Sequence, residues 1–169
     1  MNGLGVMVLT ASALTMTGLT DGDNHETGHG YLDIVDFIIK GCCDVDENLN
    51  ELYRRVAFNI CVGNSDDHFR NHGFLLTKKG WTLSPAYDLN PTDSMTQSLL
   101  IDNDSNESSL KRLLSACDDY YISSEAAEQI ISEVTTAIGR WETIAKNLHI
   151  SNEEMNRFAW RLDNVRLFL

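Results

Sequence analysis

Six polar side chains stand close enough in the sequence to do chemistry together. Asn64, Asp66, Asp67, His68 and Asn71 occupy one run, GNSDDHFRNH, and Asp88 follows at the end of SPAYD. So many polar groups would be wasted in a core. A carboxylate that orients a hydroxyl and accepts its proton, beside oxygen atoms that hold a divalent cation against phosphates, is what phosphoryl transfer requires. Magnesium prefers carboxylate and amide oxygens while keeping some of its water, so Asn71 and Asp88 are chemically sensible ligands. By spacing alone, Asp66 and Asn71 read first as a hydrogen-bonded turn, because Asn and Asp cap helices and satisfy loop backbones. Asp67 has three readings: a second metal ligand, an ion pair with Arg70, or a solvated carboxylate. The solvated reading carries most weight. Arg70 can meet a phosphate or a neighbouring carboxylate.

A rival motif lies upstream, where His25-Glu26-Thr27-Gly28-His29 spells H-E-x-x-H. Two histidines bind zinc in that pattern only when a helix sets both imidazoles on one face. Gly28 sits inside the motif and Gly22 and Gly30 flank it. Each helix-interior glycine costs about 1 kcal/mol relative to alanine, so the helix and the zinc site are disfavoured.

The elements that must position the six residues follow from periodicity. GLTDGDNHETGHG, residues 18–30, is loop. Leu32, Val35, Ile38 and Ile39 recur at helical spacing and Gly41 ends that helix. Asp46 is the expected N-cap of a second helix carrying Leu49, Leu52, Tyr53, Val56, Phe58, Ile60 and Val62, with its apolar C-terminal end central to the core and its stop near Gly63. GFLLTKKGWTLSPAYD contains two strand-like runs around Lys78, Lys79 and Gly80, a tight β-hairpin. Residues 90–106 are loop. Helices are expected over 108–117, 125–148 and 152–168. The middle one has a buried stripe of Ala127, Ile131, Val134, Ile138, Trp141, Ala145 and Leu148. Ser151 and Glu154 form a capping box, and Trp141 and Trp160 are core packing residues. The fold class is mainly α with a small β-hairpin, an α+β fold. It is read as one unit over 1–169, with an apolar segment and loop at 1–30, the polar loop, hairpin and Asp88 segment at 63–92, and C-terminal helices at 107–169.

Composition narrows the classes of function. The chain has 169 residues, 43% of them hydrophobic, enough for one substantial core and too few for two comfortable domains. Thirteen Lys and Arg against 25 Asp and Glu give a net charge of -12, so direct nucleic-acid binding would start from repulsion. The pairs Arg54-Arg55 and Lys78-Lys79 read as solvated surface. Cys42, Cys43, Cys61 and Cys117 match no zinc or redox spacing, which suggests reduced thiols in a cytoplasmic protein, with Cys61 a buried small hydrophobe. The apolar stretch from Leu4 to Leu19 has no preceding Lys or Arg and is interrupted by polar residues. It reads as a buried helix or strand, with no signal peptide or membrane anchor expected.

Protein kinases place an Asp and an Asn five residues apart on a catalytic loop and a metal-binding Asp after a hairpin. Asp66, Asn71 and Asp88 fit that template. More specifically, GNSDDHFRNHGFLL followed by WTLSPAYDLNPT resembles the paired signature of HipA-like serine/threonine kinases. The resemblance is strong over residues 58–92 and weak in YLDIVDFI and the C-terminal helices. It implies the C-terminal helical lobe of a HipA-type kinase fold, with Asp66 as catalytic base and Asn71 and Asp88 as ligands of the magnesium that holds ATP. Asn64 and His68 are implied as supporting residues, His68 by shaping the loop. A protein substrate, a toxin–antitoxin system and a DNA-binding antitoxin partner are implied as well.

Kinases also need a loop over the phosphates and a lysine that pairs with them, and the first lysine here is Lys40. Three explanations stand: a fragment, a separate polypeptide supplying the N-terminal kinase portion, or a pseudokinase. The sequence therefore leaves two functions, a catalytic kinase lobe transferring the ATP γ-phosphate to a protein hydroxyl, or an inactive truncated lobe serving as a protein-interaction module. The second would leave an uncovered apolar patch near Asp66 and Asp88.

Overall fold

The computed structural model of the chain describes residues 8–92 and 94–165. Its order is β1 (Thr10–Ser12), α1 (Ala13–Thr17), α2 (Tyr31–Gly41), α3 (Val45–Val62), β2 (Gly73–Leu76), β3 (Trp81–Leu83), α4 (Leu110–Ser115), α5 (Ser124–Ile138), α6 (Trp141–Asn147) and α7 (Asn152–Asp163), with 3-10 turns at His25–Thr27, Phe69–Asn71 and Cys117–Tyr120. It is an α+β fold, mainly helical, with a small antiparallel sheet.

The apolar stretch near the N-terminus supplies both a strand and a helix. β1 pairs antiparallel with β2, setting Ala11 opposite Phe74, and β2 pairs with β3, setting Phe74 opposite Leu83. The expected hairpin is present, closed by Thr77 N–H to Gly80 O at 2.9 Å, and β1 makes it a three-stranded sheet. Ser12 ends β1 and caps α1 by accepting from the Thr15 N–H, so one serine turns the chain from strand to helix. The part of the expectation that covers residues 4–7 lies outside the described residues.

The core forms around α3, which packs most extensively on α5. Leu52, Tyr53, Val56, Ala57, Ile60 and Cys61 are fully buried, so the C-terminal half of α3 is the centre of the fold. Burying a side chain the size of Leu or Ile stabilises by about 1.5–3 kcal/mol, so α3 is the element least free to move. Burial also pushes the Cys61 thiol up to about 12, as expected of an inert core cysteine.

Several expectations need correction. The buried face of α2 is Tyr31, Ile34, Val35 and Ile38, while Ile39 is exposed; position 31 starts the stripe. The N-cap of α3 is Asp44, in left-handed conformation, and Asp46 lies inside the first turn beside Glu47. The helix read over 125–148 is two helices, because the chain breaks at Gly139 and Arg140. The stripe holds through Ala127, Ile131, Val134 and Ile138, which are buried, and fails beyond the break, where Leu148 is 68% exposed; Trp160, expected in the core, is 61% exposed. Trp141 is half-buried and donates its indole N–H to Asp163 at 2.8 Å, tying α6 to α7. The Ser151–Glu154 capping box is present. Arg55 is buried, not solvated, whereas Lys78 and Lys79 are exposed. Among the described residues, no helix is long and apolar enough to cross a membrane.

Candidate functional site

α3 delivers the chain to the polar loop, and Gly63 stops the helix there. Gly63 adopts φ +75°, where a side chain would be strained, and its N–H returns to Asn59 O at 2.9 Å. The next residues are fastened to the segment beyond Asp88. Gly63 O accepts from both the N–H and the hydroxyl of Thr92, each at 2.8 Å. Ser65 O accepts from the N–H and hydroxyl of Ser98 at 3.0 and 2.7 Å.

Asp66 and Asp67, adjacent in sequence, have opposite fates. Asp66 is exposed. Asp67 is only 2% exposed, which overturns the solvated reading. Its Oδ2 accepts from the Tyr31 hydroxyl at 2.8 Å, Asn59 Nδ2 at 2.6 Å and His72 Nε2 at 2.9 Å. Burial alone would raise the Asp67 pKa, but the His72 charge and the three hydrogen bonds outweigh it, and its carboxyl titrates below the usual range. Burial, reinforced by the Asp67 charge, drives the Tyr31 phenol up and keeps it a donor. One buried carboxylate thus joins α2, α3 and the start of β2. With that neighbour pulled inward, Asp66 is turned outward.

Asn71 is buried and donates Nδ2 to the main-chain oxygen of Asp66 at 3.0 Å. That bond engages the amide nitrogen and leaves Oδ1 as the atom that could meet a cation. It also ties the two ends of the five-residue spacing together. Asn64 is buried as scaffold, donating to Asn59 Oδ1 at 3.1 Å. His68 is half-buried and lines a cavity of about 220 Å³ with Leu14, Asp21, His25 and Arg70. Arg70 pairs with Asp21 at 2.5 Å.

Asp88 is exposed at the far side of the hairpin, with φ +56°. Asn90 Nδ2 donates to its Oδ1 at 2.6 Å. Two contacts aim the segment that carries it. The buried Arg55 donates Nη2 to Ser84 O at 2.5 Å, holding the strand exit against α3. The Tyr87 hydroxyl donates to Arg70 O at 2.5 Å. This bond ties the segment that carries Asp88 to the turn that carries Asn71. Asp66 and Asp88 are exposed and Asn71 is buried; carboxylate and amide oxygens are the donor types that suit a hard cation such as magnesium. A cavity of about 520 Å³ is lined by Thr10, Ser12, Gly73, Ser84 and Tyr87, the residue before Asp88.

Tyr31, Asn59, His72 and Thr92 were given no site role by the sequence, and Arg55 was read there as solvated surface. The H-E-x-x-H run forms a 3-10 turn in place of a helix. His25 faces Ser98 O and His29 pairs with Asp33, so the two imidazoles serve separate contacts.

A profile of the HipA-like C-terminal domain matches residues 7–141. Among solved structures, the chain is similar to one from Shewanella oneidensis MR-1, the toxin–antitoxin system HipA and HipB in complex with operator DNA, with a TM-score of 0.73 at 16% identity. The match covers 92% of this chain and 42% of that one. At that identity the likeness speaks for the fold. No curated protein matches the sequence.

Proposed function

The chain belongs to the family of HipA-like C-terminal domains, and from that premise we propose that it is the catalytic lobe of an ATP-dependent protein serine/threonine kinase. The observation that carries the reading is an exposed Asp66 tied through its main-chain oxygen to Asn71, on a turn that the Tyr87–Arg70 bond joins to the segment bearing Asp88. The Asp66 carboxylate accepts a hydrogen bond from the acceptor hydroxyl, aims its oxygen at the γ-phosphorus, and takes its proton as the new O–P bond forms and the ADP oxygen leaves. Asn71 Oδ1 and the Asp88 carboxylate would hold magnesium, which when bound neutralises charge on the phosphates. Arg70, anchored to the same loop, is in reach to exchange Asp21 for a phosphate oxygen. The cavity lined by Thr10, Ser12 and Tyr87 would give the nucleotide base a floor.

By analogy with the Shewanella assembly, an antitoxin is the expected partner, and contact with DNA would pass through that partner, since this chain carries a net charge of -12. A second reading, an interaction module without catalysis, is favoured by Tyr87 and Leu89, which flank Asp88 at 44% and 39% exposure. Incubation with magnesium and ATP, followed by mass spectrometry for phosphoserine and phosphothreonine, separates the two. Kinase activity predicts label with the wild type and none with Asp66→Asn. A module predicts no label from either.

A further inference from the structure

Arg161 lies on α7, outside the stretch that the family profile matches, and is only 5% exposed. It donates Nη2 to Ile60 O at 2.8 Å, Nε to Cys61 O at 3.3 Å and Nη1 to Ser94 O at 2.8 Å. Two of those carbonyls belong to the last turn of α3, where the helix dipole presents negative charge and main-chain oxygens lack helical partners. The third lies in the segment after Asp88. A Cβ built on Gly63 would stand 2.5 Å from both Arg161 Nε and Thr92 O, so the guanidinium, the mouth of the polar loop and the post-Asp88 segment occupy one crowded junction.

We infer that Arg161 is a positioning residue that locks the two halves of the site, the loop bearing Asp66 and Asn71 and the segment bearing Asp88, into one register. A guanidinium suits this role because its planar fork addresses three carbonyls at once, where an ammonium would lose the geometry. These three bonds end on main-chain oxygens, and Nη1 also lies 3.8 Å from Met95 Sδ, so what they fix is the relative placement of α3, Ser94 and Met95, and α7. The inference rests on the reading of Asp66, Asn71 and Asp88 as one site.

The test compares wild type, Arg161→Lys, Arg161→Met and Gly63→Ala, the last crowding the same junction from the other side. Two readouts are taken well below each variant's melting temperature. Amide hydrogen exchange should rise about tenfold in peptides from both 60–67 and 92–98 in Arg161→Met, less in Arg161→Lys, with α5 unchanged. Manganese, titrated as a paramagnetic substitute for magnesium, should bind about tenfold more weakly in Arg161→Met with partial retention in Arg161→Lys, a pattern that general destabilisation would not produce. Exchange that rises only within α7, or a folded Arg161→Met indistinguishable from wild type in exchange, overturns the inference. Absence of manganese binding by the wild type refutes the metal reading of Asn71 and Asp88, and the exchange data then decide the lock by themselves.

Discussion

At the scale of single residues, two neighbouring aspartates illustrate how far side-chain type falls short of role. Asp67 is the charged centre of a buried network, so Asp67→Ala leaves Tyr31, Asn59 and His72 without their acceptor. Removing one partner of such a network is expected to destabilise by about 3 kcal/mol or more, read from urea unfolding. Asp66→Asn, at an exposed position, should leave that unfolding curve unchanged while lowering phosphotransfer by about 10²–10⁴-fold. The difference was not legible in the sequence, because the partners that bury Asp67 come from α2 and α3, 36 and 8 residues away. The spacing of Asp66, Asn71 and Asp88 was legible because it is local and carries its own turn signals. Asp102 gives an acid-sensitive contact elsewhere. Burial raises its pKa, but the bond from Arg112 and the N–H groups of Asp104 and Ser105 outweigh that and lower it. A lowered folded pKa contributes stability that is complete above the unperturbed 3.8 and is lost as pH falls through the folded value. Asp102→Asn should therefore flatten the acid limb of melting temperature against pH below 3.8.

Among the elements, order was easier to read than extent. Helix, polar loop, hairpin and aspartate were all visible, since Gly63 and the Lys78-Lys79-Gly80 turn punctuate the chain where the periodicity changes from helical to alternating. The apolar stretch read as helix or strand divides into both, and the division was hidden because three residues of strand carry too little pattern and their partner β2 lies far along the chain; the burial expected there is confined, among the described residues, to Ala13, with Val8 and Leu9 exposed. The break between α5 and α6 was hidden because apolar residues continue at helical spacing across Gly139, although those beyond it are left largely exposed. Gly63 is the element boundary on which the site depends. Gly63→Ala combines a left-handed backbone with a Cβ directed at Arg161 and Thr92, and should cost about 2 kcal/mol in thermal or urea unfolding.

For the whole molecule, α3 is a fixed spine: Asn59 holds the polar loop to it through Asp67, Arg55 holds the hairpin exit to it through Ser84 O, and Tyr87 ties that exit to the loop at Arg70. Because the match to the Shewanella structure covers 42% of that chain, nucleotide affinity is the property that most directly asks what this lobe does by itself. Calorimetric titration with ATP and magnesium, on the wild type and Asp88→Ala in one buffer, addresses it. Magnesium-dependent binding by the wild type that disappears in Asp88→Ala is the predicted result. Binding that is equal in the two proteins or independent of magnesium, or no binding by the wild type, would contradict a magnesium–nucleotide site at Asn71 and Asp88.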